Sequence, residues 1–355
     1  MFIHNLALIG FGGVARALAE LVRDEAPRLE AELGFGLRVV AITDLAFGTL
    51  IDPDGVDLVA ALALPRGASF ADLPGGSSEA LNEHVIRNSN AGIVVEATFT
   101  NPTTGEPAVS HVRWALESGK HVCTTNKGPV AIGGAELTAL AASNGLRFEF
   151  EGAVMSGTPV LRFADHMLPG IRISAVQGIL NGTSNYILGR LGDGLTLAAA
   201  IEEAQQLGYA EADPTADIGG GDVRLKVAIL ASQIMGTEIP LDQIPTTGIT
   251  EITGDDIAAA RASGSQWRLI GSVERNESGE VTARVEPIAL PASHPLAGIS
   301  GATNAVSFTT DLLGPVTVSG PGAGRVETAY ALLSDIIAIH AASQQAAQPQ
   351  LEGAL

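Results

Sequence analysis

Residues 2–9 form a short apolar run, FIHNLALI, that stops at Gly10-Phe11-Gly12-Gly13 and gives way to apolar positions at helical spacing through Leu33. An apolar run of this length closed by glycines predicts a buried strand, a glycine turn and an amphipathic helix. Residues 37–43 (LRVVAIT), 92–97 (GIVVEA) and 120–125 (KHVCTT) repeat the short apolar run, with helix-periodic segments between them. Strands of this kind alternating with helices predict an α/β fold, a doubly wound parallel sheet. Residues 63–78, rich in Gly, Pro and Ser, read as surface connection.

After about residue 130 the pattern changes. A helix is expected over 133–144 and apolar strands around Phe148 and Ile173, while Asn276-Glu277-Ser278-Gly279 separates two alternating runs. A polar turn between alternating runs predicts an antiparallel hairpin, and hence a second, α+β domain. Near the end, Val316-Thr317-Val318-Ser319 meets a glycine loop over 320–324 and then a helical pattern over 326–341. The tail from Gln344, rich in Ala, Gln and Pro, reads as a frayed end.

Length and composition narrow the class. A chain of 355 residues is long for one domain, and 46% apolar with only 17% charged residues excludes a disordered chain. Mean hydropathy is +0.27. A net charge of −19 repels phosphate backbones and anionic lipid, so neither nucleic acid nor a membrane surface is an expected partner. Cys123 is the single cysteine, which fits a reducing cytoplasm and excludes a disulfide framework. The N-terminus lacks a cationic signal-peptide start, and no apolar stretch approaches the roughly 18 residues that span a bilayer.

Gly10-x-Gly12-x-x-Ala15 sits where a dinucleotide fingerprint belongs, between strand and helix. The first glycine makes the turn, the second admits a pyrophosphate to the backbone, and the helix N-terminus supplies N–H groups and a favourable dipole. The alternative is a plain βα turn. Asp44 closes the second strand, where a carboxylate accepts hydrogen bonds from ribose hydroxyls, and no arginine follows to grip a 2′-phosphate. That favours NAD over NADP, the alternative being a solvated strand-end cap.

The basic residues are almost all arginine, leaving only Lys120, Lys127 and Lys226. A position that stays lysine is a candidate for proton exchange, because guanidinium does not deprotonate in proteins. Lys127, in TTNKGP, follows a parallel strand at the sheet edge where α/β proteins bind ligands. Lys226 lies four residues after Asp222, on one helix face. Upstream, GYAEADP and DIGGGD (208–214 and 217–222) gather carboxylates among glycines, either as a solvated loop or as a cradle for a substrate ammonium. NGTSNY (181–186) suits a helix start capped by Ser184 or Thr183. The seven histidines lack i, i+4 pairing, which argues against zinc, and mid-strand Cys123 reads as buried filler.

Five segments in this order resemble homoserine dehydrogenase: GFGGVA (10–15), TTNKGPVA (124–131), EGAVMSGTPV (151–160), GILNGTSNYIL (178–188) and GYAEADPTADIGGGDVRLKVAIL (208–230). The likeness runs from residue 1 to about 340. It implies a Rossmann-type NAD(P)-binding domain over 1–130, completed by 320–345, and a substrate-binding and dimerisation domain over 131–319. The family reaction is reversible hydride transfer between L-homoserine and L-aspartate 4-semialdehyde, on the route to threonine and methionine. Carried over, Lys226 exchanges the hydroxyl proton, Asp222 orients Lys226, and Lys127 lies beside nicotinamide and substrate. Glu211 and Asp217 hold the amino acid, with Asn181, Gly182, Thr183 and Tyr209 lining its site. Gly10, Phe11, Gly12, Gly13, Val14, Asp44, Thr98, Gly320, Gly322 and Ala323 match cofactor-contacting positions. Glu151, Val154, Ser156 and Thr158 match positions that bind Na+ or K+ in relatives, largely through backbone oxygens. The resemblance also implies a homodimer.

Ala212 departs from a proline common in the acidic motif, and the chain has no room for the C-terminal ACT domain or N-terminal kinase of many relatives. Two other classes stay in view. Aspartate-semialdehyde dehydrogenase needs a cysteine nucleophile, against which the position of Cys123 argues. A catalytically inert dinucleotide sensor has no need of Lys127 and Lys226.

Overall fold

A computed structural model of the chain describes residues 2–65 and 67–347. The described residues divide into two compact units, the first made of those up to 153 together with 325–347, and the second of 154–324.

The first unit runs β1 (Phe2–Ile9), α1 (Gly13–Leu33), β2 (Phe35–Asp44), β3 (Gly48–Ile51), α2 (Leu58–Ala63), β4 (Gly76–Ser77), α3 (Asn82–Asn88), β5 (Ile93–Glu96), α4 (Ala108–Glu117), β6 (His121–Thr124), α5 (Lys127–Ser143) and β7 (Phe148–Glu149). The strands lie in the order β4-β3-β2-β1-β5-β6-β7. The five from β2 to β7 pair in parallel, as the alternation of apolar runs and helices requires. At the far edge β3 and β4 pair antiparallel, a feature absent from the sequence reading. That reading took residues 63–78 as surface connection, yet the segment carries a short 3-10 helix whose Phe70 ring is fully buried against Phe11 and Phe47. One aromatic among glycines and prolines anchors the segment without any periodicity. Helix α5 starts six residues earlier than the expected 133, at Lys127, because Pro129 sits in the first turn, where no intrahelical N–H bond is needed.

α6 (Gly152–Met155) leads into the second unit, which continues with β8 (Ile173–Ile179), α7 (Gly182–Gly192), α8 (Leu197–Gln206), α9 (Thr215–Ile218), α10 (Gly221–Met235), α11 (Gly254–Ala262), β9 (Ser265–Arg275), β10 (Val281–Pro291), β11 (Thr303–Thr310) and β12 (Gly314–Pro321). Its sheet is antiparallel throughout, in the order β10-β9-β8-β11-β12. The turn at 276–279 closes the β9–β10 hairpin, pairing Arg275 with Val281. The buried helix α10 packs on one face of this sheet at Gly271, where a Cβ would fall 2.5 Å from Val227 and 2.9 Å from Val223. β12 runs on through Gly320 and Pro321, two residues further than the expected strand.

α12 (Arg325–Ala347) belongs to the first unit, where Ala329, Leu332, Leu333, Ile336 and Ile339 join the core formed with α1. The helix includes Gln344, at which the tail was expected to fray, and residues 348–355 of that tail lie outside the described residues.

Candidate active site

The glycine turn of the first unit is built for close approach. Gly10 has φ +91°, and a Cβ there would lie 2.7 Å from the carbonyl oxygen of Ala97, so only glycine fits. Gly12 is the reverse case: no heavy atom lies within 4 Å of its Cβ position, which leaves open space at the N-terminus of α1. No side chain caps that helix, so its first N–H groups face the opening without a protein side-chain acceptor. Gly13 lies beside the Arg325 side chain, and Val14 and Ala15 enter the first turn. Phe11 contributes backbone rather than side chain, since its ring is in the core while its N–H donates to Asp44 Oδ2 at 2.8 Å. Asp44 Oδ1 accepts from Ala46 N–H at 2.8 Å, so the carboxylate is fixed at the end of β2 beside the turn. This geometry fits a dinucleotide, with open space for the pyrophosphate and an oriented carboxylate for the ribose.

On the other side of β1, the chain leaving β5 carries Thr98 past Gly10, and the chain leaving β6 carries Lys127 at the first turn of α5. Asn126, which the sequence reading passed over, joins these loops. Its Oδ1 caps α5 through Gly128 N–H at 3.0 Å, and its Nδ2 donates to the carbonyls of Thr98 and Phe99 at 3.3 and 3.1 Å. The third lysine, Lys120, is structural: its ammonium donates to the Ser89 carbonyl at 2.5 Å at the end of α3.

In the second unit the structure gathers most of the predicted substrate residues. Asp222 and Lys226 lie one turn apart on α10, with Oδ2 and Nζ 2.8 Å apart and Lys226 only 7% exposed. Lys226 also donates to the Leu180 carbonyl at 2.5 Å. The next residue, Asn181, is the N-cap of α7, its Oδ1 accepting from Ser184 N–H at 2.8 Å. This corrects the expectation that Ser184 or Thr183 caps the helix; all three are good cap types, and the strand-to-helix register selects the first. Asn181 Nδ2 then donates to Asp217 Oδ1 at 2.7 Å and to Asp222 Oδ2 at 3.0 Å. Burial pushes the Asp217 carboxyl above the usual carboxylate range, the Asn181 hydrogen bond and Lys226 oppose this, and Asp222 and Glu211 add to it. Three carboxylates share this neighbourhood with one ammonium, an imbalance that a second ammonium relieves.

Gly182 begins α7 with its Cβ position blocked by the Ala302 carbonyl at 2.5 Å. The Thr183 hydroxyl donates to the Tyr209 carbonyl, and the rings of Tyr186 and Tyr209 lie 5.1 Å apart. Glu211 is exposed on the following loop. Gln205, unnoticed in the sequence, donates to the carbonyls of Glu211 and Ala212 at 3.0 and 3.2 Å, which steadies the loop where the common proline is missing.

Val154, Ser156 and Thr158 are buried, and Ser156 adopts φ 53°, a left-handed conformation that non-glycine residues seldom take. Glu151, buried too, precedes them in the chain, and its N–H donates to Asp335 Oδ1 of α12 at 3.4 Å. The Thr158 hydroxyl donates to the Pro321 carbonyl at 2.9 Å, and the Cβ position of Gly320 lies against Thr158. Gly322 likewise abuts Asn304, so the end of β12 and the 156–158 turn meet within the second unit, with Ala323 following. Among the described residues, no group of three or more His, Cys, Asp or Glu side chains forms a metal centre, and no helix is long and apolar enough to cross a membrane.

Two family models match the chain, one for the homoserine dehydrogenase NAD binding domain over residues 10–151 and one for homoserine dehydrogenase over 159–337. An NAD(+)-dependent homoserine dehydrogenase of Pseudomonas canavaninivorans is 55% identical, covering 95% of this chain and 96% of its own. The homoserine dehydrogenase of Methanocaldococcus jannaschii is 37% identical over 95% of this chain and 98% of its own. Among solved structures, a putative homoserine dehydrogenase of Archaeoglobus fulgidus superposes with a TM-score of 0.84 at 35% identity, covering 95% of this chain and 99% of that one. A hyperthermophilic archaeal homoserine dehydrogenase in complex with NADPH gives 0.80 at 29%, covering 96% and 98%. With sequence and fold in agreement along nearly its whole length, the chain belongs to the homoserine dehydrogenase family.

Proposed function

We infer that the protein catalyses reversible NAD(P)-dependent hydride transfer between L-homoserine and L-aspartate 4-semialdehyde, with NAD the preferred cofactor. The observation that carries the catalytic part is the pairing of buried Lys226 with Asp222, tied through Asn181 to Asp217. NAD, when bound, supplies the hydride acceptor. Lys226, as the neutral amine, takes the hydroxyl proton of homoserine, and the ammonium so formed stabilises the developing alkoxide and returns the proton in the reverse direction. Asp222, 2.8 Å from Nζ, aims Lys226 and balances the ammonium that forms on proton transfer. Asp217 and Glu211 hold the substrate ammonium, with Asn181, Gly182, Thr183 and Tyr209 around it. Gly10 to Val14, Thr98 and Lys127 contact the dinucleotide in the first unit, and Gly320, Gly322 and Ala323 supply the contacts of the β12 end.

Asp44 supports the lean to NAD, because a fixed carboxylate at the ribose repels a 2′-phosphate. Glu151, Val154, Ser156 and Thr158 are assigned a monovalent cation, Na+ or K+, held chiefly by backbone oxygens. The left-handed Ser156 supports a special role for this turn, because a non-glycine residue seldom takes that conformation. The active form is assigned as a homodimer. Support comes from the face of the five-stranded sheet opposite α10, where Pro315, Thr317 and Ser319 of β12 stand exposed. Absorbance at the reduced-nicotinamide band tests the reading directly, with L-homoserine supplied against NAD and NADP in separate reactions and the product identified as aspartate 4-semialdehyde. A failure to reduce either cofactor overturns it.

A further inference from the structure

Six polar side chains from five separate segments of the chain meet beneath the dinucleotide loops of the first unit. Glu96, the last residue of β5, is fully buried on a central parallel strand. Its Oε1 accepts from Thr98 N–H at 3.1 Å and from the Thr98 hydroxyl, and Oε2 accepts from the Thr124 hydroxyl at 3.1 Å. His111 Nδ1 approaches Oε1 to 3.5 Å. On the far side of that ring, Nε2 lies 3.1 Å from Asn82 Nδ2, and Asn82 Oδ1 accepts from the Thr43 hydroxyl at 2.8 Å. Each end of this chain of contacts reaches a cofactor loop. Thr43 precedes Asp44, and its carbonyl accepts from Gly10 N–H at 2.7 Å. Thr124 Oγ1 accepts from Asn126 N–H at 3.0 Å, one residue before Lys127.

A fully buried carboxylate is costly unless hydrogen bonds satisfy it, and a neutral side chain of similar shape would fill the same space without that cost. Glu96 is partnered by donors from precisely the two strand ends whose loops carry Thr98 and Lys127. We propose that Glu96 is a positioning residue for NAD, binding the Thr98 and Lys127 loops to one buried carboxylate, with His111 and Asn82 extending the tie to the Asp44 turn. It touches no cofactor itself. It sets the relative height of three loops that do, and charge-assisted bonds make that setting stiffer than neutral ones would.

The inference rests on the first unit binding NAD, and the experiment separates the two. Calorimetric titration of NAD into the wild-type protein tests the binding reading, and the same titration into Glu96→Gln tests the proposal. The expected result is a Kd for NAD raised about 10–100-fold in Glu96→Gln, the equivalent of losing one charge-assisted hydrogen bond. Thr124→Val, which removes one donor to Glu96 and the acceptor for Asn126, weakens NAD binding in the same direction, and Thr124→Ser restores it. These hydroxyl variants keep the test open should Glu96→Gln fail to fold. Thermal unfolding without ligand provides the control: a purely structural carboxylate lowers the melting temperature of the variants and leaves their Kd for NAD unchanged. Wild-type binding with unchanged Kd in Glu96→Gln or in Thr124→Val overturns the proposal. Absence of NAD binding in the wild type overturns the cofactor reading, and the proposal with it.

Discussion

At the scale of single residues, the informative signal in the sequence was scarcity. Three lysines in a chain of 355 residues drew attention to Lys127 and Lys226, and their family motifs separated these from Lys120, whose ammonium serves only the end of α3. What stayed hidden were the polar residues whose partners are remote in sequence. Asn181 was named only through the resemblance, as lining the substrate site, and its two bonds to Asp217 and Asp222 depend on α7, α9 and α10 meeting. Glu96 carried no motif, because a buried carboxylate becomes visible only with its partners. Asp217 yields a pH prediction. Burial raises its carboxyl above the ordinary 3.8, so on acidification it takes up a proton before an ordinary aspartate does and loses its attraction for the substrate ammonium. KM for homoserine therefore climbs as pH falls, starting above 3.8, and Asp217→Asn has a raised KM with that dependence removed. A KM profile identical in the two proteins contradicts the assignment. Asp44→Ser is expected to narrow the preference for NAD over NADP by about tenfold, by removing the carboxylate that repels a 2′-phosphate. An unchanged ratio of kcat/KM for the two cofactors removes the ribose role.

At the scale of elements, strands and helices were legible where one face or both were buried continuously. β1, β5, β6 and the β9–β10 hairpin follow the apolar pattern closely, because periodicity reports burial. β3 and β4 escaped because they are only four and two residues long, and the edge strand β4 lies in a segment of turn residues that the buried Phe70 ring anchors. α12 joins the first unit across a distance in sequence that no local pattern specifies, and its docking includes one titratable contact. His340 Nδ1 lies 3.0 Å from His4 Nε2 of β1, and the two rings pack with Phe35. Burial, with His340 and then His121 nearby, lowers His4 from 6.5 to about 4. The unfolded chain therefore binds a proton between pH 6.5 and about 4 that the folded chain does not, so this contact's stability is present above pH 6.5 and is lost as pH falls through that window. His4→Phe, which keeps an aromatic ring against Phe35, should flatten the fall in melting temperature between pH 7 and pH 5. Equal falls in the variant and the wild type would sink this reading.

At the scale of the whole molecule, the sequence conveyed two architectures because a parallel sheet reads as short unbroken apolar runs between helices, and an antiparallel hairpin as alternating runs about a polar turn. The second sheet has α10 on one side, while β12 alternates half-buried and exposed residues along its full length. A homodimer covers such a face, and sedimentation at micromolar concentration should give twice the 36.3 kDa of one chain. A single species at the monomer mass contradicts that assignment. The catalytic account has a more direct test, the reduction of NAD by L-homoserine measured in parallel for the wild type, Lys226→Ala and Lys226→Arg. The account predicts that turnover falls about 10²–10⁴-fold in Lys226→Ala while NAD binding persists, and that Lys226→Arg gives no rescue because guanidinium keeps its proton. Near-wild-type turnover in Lys226→Arg, or loss of NAD binding in Lys226→Ala, contradicts it.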